Sequence, residues 1–164
     1  MNLELTSQIA QILEGVTVFV AIMFGVVQYK QHQKQRNDAA ATELMKSLQD
    51  AELVNAMRLL FTLDDGISLA ELREKGTEYE NAAFLISARF EVIGLVVYRG
   101  GIPLEIVEEL LGGAVVALWD KLKTLTGEYR EETGHPYFWE WFQWMAERFE
   151  AGGRTSKAPA YELE

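Results

Sequence analysis

Few positions in this sequence combine residue types and spacings that do chemistry. Arg89 and Glu91, in the middle of an apolar segment at residues 78–99, come first. A guanidinium near a carboxylate can hold an anion while the carboxylate moves a proton. Two residues apart on a helix, however, they point in different directions and do not pair with each other. Each needs its own partner from another helix, or an edge with water. Two readings follow: a buried polar network, or a polar pocket in which Glu91 acts as acid or base and Arg89 holds an anion. Asp64-Asp65-Gly66 sets two carboxylates side by side, but no further ligand follows at calcium-loop spacing, so the stretch reads as a turn. Gly112-Gly113 has no preceding strand and no following Lys-Ser/Thr, which removes a phosphate loop and leaves a kink or a close helix crossing. His135 has no second ligand at i+4 and His32 lies in a basic stretch, so neither a metal site nor a Ser-His-Asp constellation can be assembled. With no cysteine there is no thiolate nucleophile and no Cys-based metal site. The expectation is therefore a protein that is not an enzyme, with no catalytic, cofactor-binding or metal-ligating residue.

The element that would position everything else is the run IAQILEGVTVFVAIMFGVVQY, residues 9–29. Its centre, residues 15–27, carries no charge and one hydroxyl, Thr17. As a helix the run is about 30 Å long, the thickness of a bilayer's hydrocarbon core. Gln11 and Glu14 interrupt it near one end, where an acidic residue also suits the helix dipole. Val16, Val18, Phe19, Val20, Ile22, Phe24 and Val26 cover every face, so in a soluble protein this helix would be buried all round. A signal peptide fits poorly, because Glu4 precedes the run, no Lys or Arg does, and no A-x-A-like cleavage site follows. The run is expected to be a transmembrane anchor, with burial in an oligomer core as the alternative.

After it comes KQHQKQR, residues 30–36, a basic collar of Lys30, Lys34 and Arg36. By the positive-inside rule it places residues 1–8 outside and the rest in the cytoplasm, at the inner membrane. Ala21 and Gly25 form a small-xxx-small pair, a candidate helix–helix contact within the span.

Composition bounds the remainder. Hydrophobic content of 49% in 164 residues supports one folded domain. A net charge of −10, collar included, argues against nucleic acid as a partner.

Residues 30–38 read as a neck, 39–151 as a helical bundle and 152–164 as a flexible tail. Apolar spacing predicts helices over 39–48 and from 51 to about 63. Ser68 with Glu71, and Thr77 with Glu80, have capping-box spacing and would start a short helix and the central helix, respectively. In the central helix, Tyr79, Ala83, Ile86, Phe90, Ile93 and Val97 form one apolar stripe, and Leu85, Val92 and Val96 a second, so more than one face should be covered. Arg89 and Glu91 in its middle, at about 2.5 kcal/mol or more each in a bilayer, exclude a second span. Pro103 opens the next helix, which runs to about residue 131 with Trp119 in the core. In the aromatic segment 135–150, a helical projection from Pro136 puts Phe138, Trp141, Phe142, Met145 and Phe149 on one face. Trp139 projects away with Gln143, Ala146 and Glu150, either covered by the tail or exposed as a partner contact.

The N-terminal span, Phe90-Glu91-x-x-Gly94, Trp119, Tyr129-Arg130 and Pro136-Tyr137-Phe138-Trp139 together resemble the bacterial family catalogued as domain of unknown function 4760. The likeness runs over nearly the whole chain before the tail. It implies a short, helical protein, often with an N-terminal anchor, and implies no active site. Where the family has a Phe-Glu pair this chain has Trp141-Phe142, so a role for that glutamate does not carry over.

The sequence thus predicts an all-α protein: one N-terminal transmembrane helix continuing into a bundle of about four to five helices. Its expected role is a membrane-anchored cytoplasmic interaction module, perched on the lipid bilayer and meeting a protein partner or a second copy. The alternatives are a soluble helical oligomer with the first helix in its core, and a membrane-associated enzyme acting through Glu91 and Arg89.

Overall fold

A computed structural model describes residues 3–152 and Glu162, with side chains from Thr17 onward. The side chain of Glu14 and the tail beyond Gly152 (Glu162 aside) therefore lie outside what is described, as do residues 1 and 2. Among the described residues there are six α-helices and no strand: α1 Leu3–Leu48, α2 Ala51–Leu60, α3 Leu69–Lys75, α4 Thr77–Tyr98, α5 Leu104–Thr133 and α6 Glu140–Ala151. Residues 1–39 and 40–164 form two compact units.

In the first unit, α1 is helical from Leu3 and carries Val18 to Val27 exposed. Ala21, Gly25 and the collar residues Lys30, Lys34 and Arg36 are exposed as well.

The second unit begins with the last turns of α1, where Leu44 is buried in the core. Asp50 ends that helix and caps α2, its carboxylate accepting from the Glu52 N–H at 3.0 Å. The Asp64-Asp65-Gly66 turn is stitched to α5: Gly66 and Ile67 N–H groups donate to the Asp120 and Lys121 carbonyls, and Lys121 Nζ donates to the Leu63 carbonyl and pairs with Asp65 at 3.1 Å. Ser68 and Glu71 form the expected capping box on α3, each side chain satisfying the other's backbone donor.

The second expected box is absent. Gly76, at φ +106, is the cap of α4, so Thr77 is already inside the helix and its hydroxyl caps nothing. The motif was one residue out of phase with the turn, because a glycine in the left-handed half of the map can end one helix and start the next without an intervening residue.

α4 is the element on which the others pack. Ala83, Ile86, Phe90, Ile93 and Val97 are buried along it, as the main stripe predicts, with Tyr79 half-buried and Ala82 buried beside them. The second stripe is covered only at its start: Leu85 packs half-buried against the core, whereas Val92 is 61% and Val96 37% exposed. α2 packs on one side of α4 and α6 on another, leaving that edge to water. α5 runs unbroken through Gly112 and Gly113 to a left-handed Gly134 at φ +68, a residue or two beyond the predicted end. Gly112 faces Phe149 of α6, whereas nothing approaches Gly113.

At Gly94 the backbones of α4 and α6 come so close that an added Cβ would collide with the Trp141 carbonyl, its carbon 2.8 Å away. Phe142 then reaches between α4 and α5, its ring 5.1 Å from Phe90 and 5.2 Å from Trp119.

Candidate functional site

Arg89 and Glu91 leave α4 in different directions and do not meet. Arg89 makes a half-exposed pair with Asp50 at 3.4 Å, tying α4 to the start of α2. Exposed pairs of this kind contribute about 0–1 kcal/mol. Glu91 instead reaches α6, where one carboxylate oxygen accepts from the N–H groups of Trp141 and Phe142 at 2.9 and 3.0 Å. Those amides belong to the first turn of α6, whose donors have no partner within the helix. Glu91 thus caps a helix 50 residues further along the chain, a task usually done by the residue just before the helix. Each of the two thus has its own partner on another helix, and neither contact is fully buried, so they form two separate part-exposed contacts rather than a buried ion network.

Behind Glu91, Arg130 of α5 secures the segment leading into α6. Its Nε donates to the Phe138 carbonyl at 2.8 Å and a terminal nitrogen donates to Gln143 Oε1 at 2.7 Å. Gln143 in turn donates to Glu147 at 2.8 Å. Nothing in the local sequence of Glu91 or Arg130 announces these partners; only the fold brings them within reach.

Burial pushes the Glu91 carboxyl above its ordinary value of about 4.5; the Phe142 and Trp141 N–H groups pull it back part of the way, Glu140 adds to the rise and Arg130 opposes it. Because the folded protein holds this proton more tightly than the unfolded chain, the contribution of Glu91 to stability is fullest below about pH 4.5 and is lost as pH rises through the raised folded value. Glu91→Gln keeps an oxygen acceptor for both amides and removes the buried charge. It is expected to leave stability at pH 7 within about 1 kcal/mol of wild type and to remove this part of the acid-limb pH dependence. Glu91→Ala, which strands both donors, is expected to cost about 1–3 kcal/mol. Urea denaturation of the three proteins between pH 4 and 8 measures both effects.

Trp139 is not the exposed contact that projection suggested. It is 6% exposed and precedes α6 rather than belonging to it. At φ 56 and ψ 37 it is left-handed, the one non-glycine residue with positive φ among those described. The projection assumed helix back to Pro136; the chain turns at residue 139, which swings the indole inward. It stacks on Tyr129 at 5.5 Å and meets Phe138 and Phe84 edge-on at 5.0 and 6.0 Å. Ala146, projected onto the same outer face, is buried too.

Two hollows flank α3. The one beside the Asp64-Asp65 turn has about 480 Å³, but Asp65 is engaged by Lys121 and Glu71 by Ser68. No group of three His, Asp or Glu side chains suited to a metal occurs among the described residues. The other, about 220 Å³, lies between α3, α4 and α5 and has Phe84, Tyr129 and Trp139 among its walls.

Glu91, Gly94, Trp119, Tyr129, Arg130 and Trp139 therefore converge on one task, seating α6 against α4 and α5. The molecule is of the class of all-α domains whose last described helix is keyed into a central pair. A family model, the domain of unknown function DUF4760, matches residues 6–149, and the chain belongs to that family. It matches no curated protein and no solved structure.

Proposed function

We propose that this chain is a membrane-anchored helical module whose bundle, residues 40–151, works in the cytoplasm by contact with a protein partner or a second copy. The observation that carries the reading is the girdle of uncovered apolar side chains on α1. Val18, Phe19, Ile22 and Phe24 are each 59–65% exposed, and basic Lys30, Lys34 and Arg36 follow. In water such a surface is unfavourable by about 25 cal/mol per Å² of apolar area; in lipid it is not. Among the described residues α4 is the one helix that length and a mean hydropathy of 1.5 would admit to a membrane, but it buries its apolar stripe in the bundle and holds Arg89 and Glu91.

Tagged protein is expected to stay in the membrane pellet through an alkaline carbonate wash, with a C-terminal reporter active in the cytoplasm. Reversing the collar with Lys30→Glu, Lys34→Glu and Arg36→Glu together is expected to scramble that orientation. Release by carbonate as a particle of defined size would replace the anchor with a soluble oligomer that buries α1. Cross-linking in the membrane then separates self-association from capture of another protein.

A further inference from the structure

We infer that the hollow between α3, α4 and α5 is a binding site for a methylated ammonium group. The inference stands on the bundle alone and does not rest on the anchor. The hollow, about 220 Å³, is lined by the aromatic residues Phe84, Tyr129 and Trp139, by Leu72 and Leu125, and by the polar Glu80 and Asn81. At about 30 Å³ per displaced water, that space suits a compact head group of under ten heavy atoms.

Three features select the charge and the shape. Aromatic faces attract a cation through their quadrupole; Phe84 and Tyr129 are the rings with surface to offer, and the buried Trp139 indole holds them in place from behind. Glu80 is half-buried and has no side-chain hydrogen bond or ion pair among the described residues, so its charge is available to a ligand. It is the one charged side chain lining the hollow, and it is negative. Leu69, Leu72, Ala83 and Leu125 give methyl groups apolar contact, whereas a primary ammonium would leave that wall unused and depend on Glu80, Asn81 and the Tyr129 hydroxyl for its three N–H donors.

The backbone adds an independent sign. Trp139 is held left-handed, a conformation that costs a bulky residue energy and that persists where a side chain must be held in one place. Here it lays the indole across Tyr129 and against Phe84, which itself stays 53% exposed at the mouth.

Titration calorimetry of the full chain in a maltoside detergent, with choline chloride as probe, tests the site. The expected result is saturable one-to-one binding, weakened about tenfold or more when choline is replaced by its neutral carbon isostere. Glu80→Gln is expected to produce a loss of similar size with the melting temperature unchanged, since Glu80 makes no contact within the core, and Phe84→Leu, which keeps an apolar side chain against Trp139, a smaller loss of binding. Equal binding of the isostere, full binding by Glu80→Gln, tighter binding of methylamine than of choline, or no saturable heat would each overturn the proposal. Short-chain phosphatidylcholine and phosphatidylglycerol as competitors locate the source: displacement by the first alone points to a lipid head group, and displacement by neither to a free solute.

Discussion

Gly94→Ala is expected to destabilise the bundle by about 2–3 kcal/mol, although alanine is the better helix former by about 0.5–1 kcal/mol. The added methyl would meet the backbone of Trp141, and backbone cannot rotate aside as a side chain tip can. α4 and α6 must then separate. In doing so they stretch the two hydrogen bonds from Trp141 and Phe142 to Glu91 and lift Phe142 off Phe90. The same exchange at Gly113, in the interior of α5 with nothing within 4 Å, is expected to stabilise by about 0.5–1 kcal/mol. Urea denaturation of the two variants, followed by tryptophan fluorescence, should move the midpoint in opposite directions. A shift of Gly94→Ala toward greater stability would mean that the two helices do not cross as closely as described.

Trp139→Ala carries the other large effect, a loss of about 3–5 kcal/mol, because the indole is enclosed by Phe84, Tyr129 and Phe138. Alanine inherits the left-handed backbone and its cost. Trp139→Gly loses the same ring but not that cost, and is expected to be more stable than Trp139→Ala by about 1 kcal/mol. The difference between the two variants measures what the chain spends to turn the ring inward. If Trp139→Ala melts like wild type, the indole is not part of the core.

What local rules govern was legible. The stripe from Ala83 to Val97 fixed which side of α4 is buried, and Ser68 with Glu71 announced the start of α3, because helical periodicity and capping act within one or two turns. The aromatic run gave Phe142, Met145 and Phe149 correctly as core. What depends on distant chain was not. Glu91 satisfies amides 50 residues away, and no spacing rule reaches that far. The close approach of α6 at Gly94 has no local sign either, since the Trp141 backbone that meets it lies about 50 residues on. Trp139 was misplaced because a single left-handed residue resets the helical phase, and Val92 and Val96 stay exposed because they lie on an edge of α4 that its packing partners leave open. The hollow at Glu80 was likewise invisible: its walls come from three helices and from the residue before a fourth.

The keying of Phe142 between Phe90 and Trp119 has a further meaning during synthesis, because α6 is made after the two helices it closes. A growing chain emerging at about 5–20 residues per second presents α4 and α5 with an unfilled aromatic slot, on the order of seconds before its plug leaves the ribosome. In that interval the nascent protein is sticky where the finished one is sealed, and a chaperone or a neighbouring chain competes with α6 for the gap.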